Sequence, residues 1–338
     1  MELNNRRKFL KGALAASVVG TGAIARRASA AEFSLKFGHD VPATHPLQLR
    51  LEEAAKKILE ESSGRLEIRL FPNNQLGGDT DMLAQLRNGA LECMTLSGNL
   101  LSTLTKVTSV IGVGFAFASH KQVWAAMDGK LGVHMRGVIE KFGLHALERM
   151  WENGFRQITS STHPINTPDD LKGFKIRVPV SPQWTSLFKA LGASPTSMNF
   201  SETYSALQTK IVDGQENALQ LIEIAKVYEV QKYCSITNHM WDGFFTLVNG
   251  RIWAKLPPAL QEIMARNVDA AVLKERDDLA KMSQTVEDKL KSHGMIFNRT
   301  DSAAFRAVLV KSSYYKQWKT TYGPELWSIL EQYTGALG

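Results

Sequence analysis

From residue 33 onward, strand and helix patterns alternate along the chain, and that alternation leaves few folds open. Phe33-Ser34-Leu35-Lys36-Phe37 alternates apolar and polar side chains, and Gly38-His39-Asp40 ends the run. A helix follows from Pro46, with Leu47, Leu51, Ala54, Ala55, Ile58 and Leu59 on one face and Gly64 at its close. Leu66-Glu67-Ile68-Arg69-Leu70 is a second strand. The loop 72–78 then leads into a helix carrying Met82, Leu83 and Leu86, and residues 91–96 form a third strand. Strands separated by helical crossovers pair in parallel, so this βαβαβ series predicts a mainly parallel sheet covered by helices.

Further along, residues 110–117 form an apolar run with two glycines, and a helical pattern over 121–142 breaks near Gly129. Residues 144–151 and 155–159 read as two strands around Asn153-Gly154. A second α/β series follows. Thr167-Pro168-Asp169-Asp170 is a capped short helix, residues 175–178 a strand, and residues from Pro182 a helix. Ser201 is expected to cap another helix with Tyr204, Leu207 and Ile211 inward, and one more is expected from Asn217 to about Val230. Residues 244–249 carry the last strong strand signal. Residues 257–293 contain almost no breaker. About 37 residues at 1.5 Å each would make a helix of roughly 55 Å, long enough to bridge two lobes; the other reading is two helices meeting at a kink near Ala270. A strand at 294–298 and helices around 303–318 and 324–332 complete the chain.

The formal charge of +7 over 338 residues invites a nucleic-acid reading until it is localised. Residues 1–30 hold Arg6, Arg7, Lys8, Lys11, Arg26 and Arg27 against Glu2, so +5 of the charge sits there and about +2 remains for the body. That excludes a strong basic field, and nucleic acid with it. The same thirty residues carry a basic start, an apolar run over 12–24 and Ala28-Ser29-Ala30, the form of an export signal cut near Ala30/Ala31. Asn5-Arg6-Arg7-Lys8-Phe9-Leu10-Lys11 resembles a twin-arginine signal, with the general secretory route as the alternative. The mature chain is expected in the periplasm. Cys93 and Cys234 lie far apart in apolar strand-like runs without metal or redox spacing, which reads as two buried free thiols.

Motifs of phosphate binding, zinc hydrolysis and serine hydrolysis are all missing, and Gly112-Val113-Gly114 lacks the third glycine of a dinucleotide site. No cofactor or metal is called for. One stretch, however, is built to hold an anion. The strand at 175–178 ends at Pro179, which cannot continue a ladder. Ser181-Pro182 then starts a helix on which Trp184, Leu187, Phe188 and Leu191 recur at helical spacing up to Gly192. Arg177 thus sits at a strand end facing a helix start, where it would serve as a carboxylate anchor or as a surface ion-pair partner.

Several blocks of the chain are similar to the solute-binding proteins of tripartite ATP-independent periplasmic (TRAP) transporters. They are Asn153-Gly154-Phe155-Arg156-Gln157, Pro168 through Pro179, Leu191-Gly192-Ala193-Ser194-Pro195, Phe200 through Gln208, Asp213-Gly214-Gln215-Glu216-Asn217 and Thr237-Asn238-His239. The resemblance covers residues 33–335. It implies an α/β, two-lobed periplasmic binding protein with a ligand cleft between the lobes, crossing strands and a long lobe-spanning helix. Lobe I would comprise 31–154 and about 243–282, and lobe II 155–242 and about 283–338. It further implies that Arg177 pairs with the ligand carboxylate, that Arg156 and Asn217 add polar contacts, and that Phe200 packs on the ligand. His39 and Gln75 belong to the early loop that varies with ligand in that family. Some members bind a metal through a glutamate followed by tryptophan; here Asn217 follows Glu216, a departure that puts a metal in doubt.

The expected partners are a small-molecule carboxylate and membrane permease subunits, with the chain acting as a monomer or a dimer and performing no catalysis. A co-sensor for a membrane receptor and an exported enzyme using the cleft are the alternatives. Trp184, Phe200, Trp241 and Phe244 are candidate cleft aromatics, though Trp184 and Phe244 read equally as core. With few other charges in view, they favour a monocarboxylate with an apolar or aromatic body over a sugar acid. A C4-dicarboxylate held by Arg156 and a keto acid stay open.

Overall fold

The computed structural model describes residues 31–338; the expected export segment and its cleavage point lie outside them. The first series is β1 (Phe33–Gly38), α1 (Pro46–Glu61), β2 (Leu66–Phe71), α2 (Asp79–Asn88) and β3 (Cys93–Ser97). Strand β1 pairs in parallel with β2 and β3, as the crossover pattern requires. After short 3-10 turns come α3 (His120–Met127), α4 (Lys130–Glu140), β4 (Leu144–Ala146) and β5 (Trp151–Ser160). The second series runs β6 (Lys175–Val178), α5 (Pro182–Ala190), β7 (Ser194–Ser197), α6 (Phe200–Gln208) and β8 (Gly214–Ala218). It continues through α7 (Leu219–Ile224), β9 (Tyr233–Ile236), β10 (Trp241–Asn249), α8 (Gly250–Lys255) and α9 (Pro258–Met282). The chain ends with α10 (Val286–Ser292), β11 (Ile296–Arg299), α11 (Ser302–Lys311) and α12 (Tyr314–Thr334).

All eleven strands of the described residues are linked through two long ones. The order is β2-β1-β3-β10-β5-β8-β6-β7, with β4 on β10, β9 on β5 and β11 on β9. Strand β5 changes partner midway: residues 151–155 pair with β10, and residues 156–160 pair with β8 and β9, all antiparallel. β10 likewise passes from β5 to β3. The parallel strands β1–β3 and β6–β8 therefore form two α/β halves whose connection is a pair of crossing strands. One apolar cluster lies between β1–β3, α1 and α9, and a smaller one around α6, α7, β9 and α10. The largest runs from α2–α4 through α5 to α11 and α12. No helix of the described residues is long and apolar enough to cross a membrane.

Four expectations need correcting. Asn153-Gly154 does not separate two strands; β5 runs through it, with Gly154 at φ +122° and a register shift between Asp242 and Gly243 on β10. Asparagine-glycine here marks an irregularity in a ladder rather than a reversal. Asn217 lies on β8, not at a helix start; α7 begins two residues later. Helix α6 is capped by Asn199, boxed with Glu202, rather than by Ser201. Finally, the helical region from 257 is neither continuous nor kinked near Ala270. Helix α9 has 25 residues, about 38 Å, with Leu260, Met264, Val268, Ala271, Val272 and Leu279 buried along one face. It stops at Ser283–Thr285, where Ser283 Oγ donates to the Ala280 carbonyl (2.7 Å), a local bond that competes with helix continuation. By contrast, α5 is as the sequence implies: Pro182 opens it, Trp184, Leu187 and Phe188 are buried, and Gly192 follows its end at φ +91°. Cys93 and Cys234 are buried and free.

Where β5 and β10 cross, the backbones approach too closely for an added side-chain atom. A Cβ on Gly243 would lie 2.3 Å from the Trp241 ring and 2.6 Å from the Trp151 carbonyl oxygen. Gly243→Ala is expected to lower unfolding stability by about 1–3 kcal/mol, measured by urea denaturation. Unchanged stability would show that the crossing is looser than described.

Candidate ligand-binding cleft

Strand β6 is flanked by parallel partners on both sides, so the backbone of Arg177 is fixed between Thr196 of β7 and Gln215 of β8. Ile176 and Val178 are buried in the apolar core. Arg177 itself is only 1% exposed, and its Nε and Nη2 donate to the Met198 carbonyl (3.2 and 2.8 Å). The guanidinium carbon stands 5.9 Å from the centre of the Phe200 ring. Among the described residues, no carboxylate forms an ion pair with it. Burial lowers its pKa to about 10, although Glu216 draws it upward; Arg156 adds to the lowering. It remains a cation at neutral pH, desolvated, with Glu216, Asp79 and Asp40 near enough to act on it but none of them in ion-pair contact among the described residues.

Arg156 is buried in a different way. On β5 it makes a two-pronged ion pair with Glu216 of β8, through Nε to Oε2 and Nη2 to Oε1, the latter at 2.8 Å. Nη2 also donates to the Glu216 carbonyl (2.7 Å), while Nη1 reaches Asp242 Oδ2 on β10 (3.4 Å). Trp184 lies against it, ring centre 4.9 Å from the guanidinium carbon. Burial pushes the Glu216 carboxyl up, but the Arg156 charge and hydrogen bonds from His239 and Arg156 outweigh that and hold it below the usual range. Burial lowers the pKa of His239. Since a carboxylate only accepts, neutral His239 donates from Nε2 to Glu216 (3.1 Å), leaving Nδ1 to accept from Thr237 Oγ1 (2.8 Å). Asp242 is met by Ser97 Oγ (2.6 Å), Asn99 Nδ2 (3.2 Å) and Asn153 Nδ2 (3.1 Å).

Arg177, Arg156, Asn217 and Phe200 come together on the wall of one cavity, shared with Trp184 and Phe244. Its open space is about 20 Å³, room for roughly one water. The two halves touch across it. Asn199 exchanges hydrogen bonds with Thr80 at the start of α2 (3.2 and 3.4 Å), and Ser102 meets Ser181 (3.0 Å). This is a closed cleft. A larger hollow of about 740 Å³ opens beside Thr185, Lys189 and Gln317, but its lining includes neither arginine of the cleft.

Three expected site residues do not line this cavity. Trp241 faces the core, where its indole N–H donates to Glu152 Oε1 (2.8 Å) and its edge meets Trp124. His39 is buried against Gln48 (2.6 Å), and burial brings its pKa down to about 4. Gln75 is exposed on the loop before α2. Conversely, Asp40, Asp79, Asn153 and Asp242 all line the cavity, so the expectation of few other charges there is overturned. Asp40, two residues past the end of β1, carries no local mark of a cavity residue. Asp79 is indistinguishable in sequence from exposed Asp81 in the same first turn. Trp184 and Phe244 prove to be both core and cavity wall.

A family model described as bacterial extracellular solute-binding protein, family 7, matches residues 37–320. The 2,3-diketo-L-gulonate-binding periplasmic protein of Escherichia coli is 31% identical over 293 residues, 86% of this chain and 89% of that protein. A TRAP periplasmic solute binding protein from Sulfurospirillum deleyianum, solved with bound succinate, superposes with a TM-score of 0.84 at 28% identity, covering 90% of this chain and 99% of that one. Another, from Roseobacter denitrificans with bound L-galactonate, gives 0.83 at 30% identity, covering 89% and 99%.

Within the cleft wall, Glu216→Gln leaves Arg156 buried without its main counter-charge, and the expected loss of stability is about 3–5 kcal/mol. The pH dependence has a definite sign. Because the folded-state pKa of Glu216 lies below its unfolded value of about 4.3, its contribution is present above that pH and disappears as pH falls through the folded value. Melting curves from pH 3 to 7 should show the wild type losing its advantage over the glutamine variant toward acid. A pH-independent gap would refute the assignment.

Proposed function

The chain belongs to the bacterial extracellular solute-binding proteins of family 7, the solute-binding subunits of TRAP transporters, and on that footing we propose that it captures an organic acid by its carboxylate on Arg177 and delivers it to membrane permease subunits. The observation that carries the reading is a desolvated guanidinium on a strand paired on both sides, whose side-chain hydrogen bonds go to a backbone carbonyl and which no carboxylate of the described residues reaches in an ion pair. A ligand carboxylate supplies the missing charge and can engage the guanidinium edge not turned to Met198. Phe200 packs beside the pair, and Asn217, whose Oδ1 is occupied by the Ala218 amide (3.0 Å), has its amide nitrogen left to donate. Arg156, already paired, adds its field more than a free hydrogen-bonding edge.

Capture needs opening and closing, and the crossing strands are the natural hinge. We place lobe I at 31–154 and about 243–282, and lobe II at 155–242 and about 283–338. The partner change of β5 between Phe155 and Arg156 supports the first boundary, and the end of α9 supports the last. Helix α12 packs on α3 and α4 as well as α5 and α11, bracing both lobes. Residues 1–30 would export the chain to the periplasm, with cleavage near Ala30/Ala31. The acids carried by the solved relatives support a carboxylate as the common recognition group, and binding alone is the role proposed.

A thermal-shift screen of organic acids finds the ligand, since one present at ~1,000 Kd stabilises by about 4 kcal/mol. With that acid, Arg177→Lys is expected to weaken binding tenfold or more in calorimetry, because an ammonium cannot engage both carboxylate oxygens in the guanidinium's fork geometry. Unchanged affinity would remove Arg177 as the anchor.

A further inference from the structure

The cavity facing Arg177 is walled by acceptors. Asp40 follows β1 and Asp79 opens α2; they are 8% and 3% exposed. Neither is neutralised by an ion pair among the described residues. Asp79 feels the Arg177 charge and lies against the Phe200 backbone amide and the Asn74 side chain, while Asp40 lies against its own amide and feels Arg177 more weakly. The ordinary reading of Asp79 is a first-turn acid serving the helix dipole, but exposed Asp81 already serves α2 in that way and donates nothing to the cavity. A third acceptor is independent of these two: Asn153 is buried, its Nδ2 is spent on Asp242, and its Oδ1 has no partner although the residue lines the same cavity. One donor in the wall is also unpartnered, the indole N–H of Trp184.

Resting on the reading of Arg177 as carboxylate anchor, we infer that Asp40 and Asp79, with Asn153 Oδ1, select a ligand that has a single carboxylate and a body bearing hydrogen-bond donors, hydroxyl or ammonium. Two further arguments converge on it. An apolar body closed into this cavity would leave Asn153 Oδ1 and the remaining lone pairs of Asp40 and Asp79 desolvated without donors, and unmet buried polar groups are what make polar sites discriminate so sharply. A second carboxylate would face Asp40 and Asp79 with like charge, while the one other guanidinium, Arg156, is already divided between Glu216 and Asp242. Burial raises the pKa of both acids, Asp79 to about 6, and at Asp40 the charges of Asp79 and Asp242 add to the rise; the Arg177 charge draws both back only in part, which fits carboxyls placed where a donor is wanted. The ligand body read from the sequence, apolar or aromatic, is thereby replaced by a polar one.

The test is calorimetry of the 31–338 chain with skeleton-matched acids: butanoate, 2,3,4-trihydroxybutanoate, 2-aminobutanoate and succinate, with the corresponding six-carbon set for size. A donor-bearing monocarboxylate is expected to bind at least tenfold more tightly than its apolar and dicarboxylate counterparts. Asp40→Ala and Asp79→Ala should each erase most of that preference, weakening the donor-bearing acid and relieving the desolvation penalty on the apolar one, with melting curves confirming a folded protein. Asp40→Asn and Asp79→Asn keep an acceptor oxygen without charge. They separate the two donors, since a hydroxy acid should tolerate them and an amino acid should not. Tighter binding of the apolar acid or of succinate, or unaltered selectivity in the alanine variants, overturns the inference while acid binding through Arg177 stands. If no acid in the set binds and Arg177→Lys changes nothing in the wider screen, both readings fall.

Discussion

The structure depends on one buried joint, the guanidinium of Arg156 set between Glu216 and Asp242. Each charge comes from a different strand, β5, β8 and β10, and the joint sits where β5 exchanges β10 for its second set of partners. Taking three ions out of water is expensive, and ion pairing alone seldom recovers that cost. Here the remaining valences are filled as well: His239 on Glu216, and Ser97, Asn99 and Asn153 on Asp242. A network so completed contributes less through net stability than through the cost of any other arrangement. Strand crossings that separated these three residues would strand a charge in the core.

The joint also decides what Arg177 can do. Glu216 is near enough to raise the Arg177 pKa, yet its oxygens are taken by Arg156 and His239. The protein therefore contains two neighbouring buried guanidinium groups, one satisfied and one not. The satisfied one ties β5 to β8 and β10. The unsatisfied one has no carboxylate in ion-pair contact, and on the proposed reading a ligand meets that demand. On the proposed reading closure couples to that demand: with about one water's worth of room in the closed cleft, a ligand would enter only when the halves part, and would favour closing because its carboxylate is better paired there.

How much of this could be read beforehand follows from how local each feature is. The β1–β3 series, α5 and its glycine stop, and the position of Arg177 at a strand end all rest on patterns within a few residues, and each was legible. Asn153-Gly154 misled because the same dipeptide serves a turn and a ladder irregularity, and only the register with β10 tells them apart. Trp241 misled because an aromatic near the blocks of resemblance can face either side of a strand, and its indole is taken by Glu152. The end of α9 depends on a hydroxyl returning to the backbone, a competition too weak to stand out among polar residues.

Asp40, Asp79 and Asn153 were illegible for a more general reason. They lie in a β1-end loop, at a helix start and within a crossing strand, and nothing in their local sequence separates them from solvated acids and amides. Only the fold brings them opposite Arg177. This division has a physical logic. The anchor needs a rigid frame, so it sits on a central strand inside a recognisable block, with partners fixed by backbone pairing. Asp40 and Asp79, proposed to read the rest of the ligand, sit on separate elements, where a single side-chain change alters the wall without touching the Arg156 joint or the β6 ladder; Asn153 belongs to the joint itself through Asp242. Capture and discrimination are thus carried by different parts of the chain. A resemblance strong enough to place the carboxylate consequently says little about the body attached to it, and the wall chemistry must be read from the folded structure.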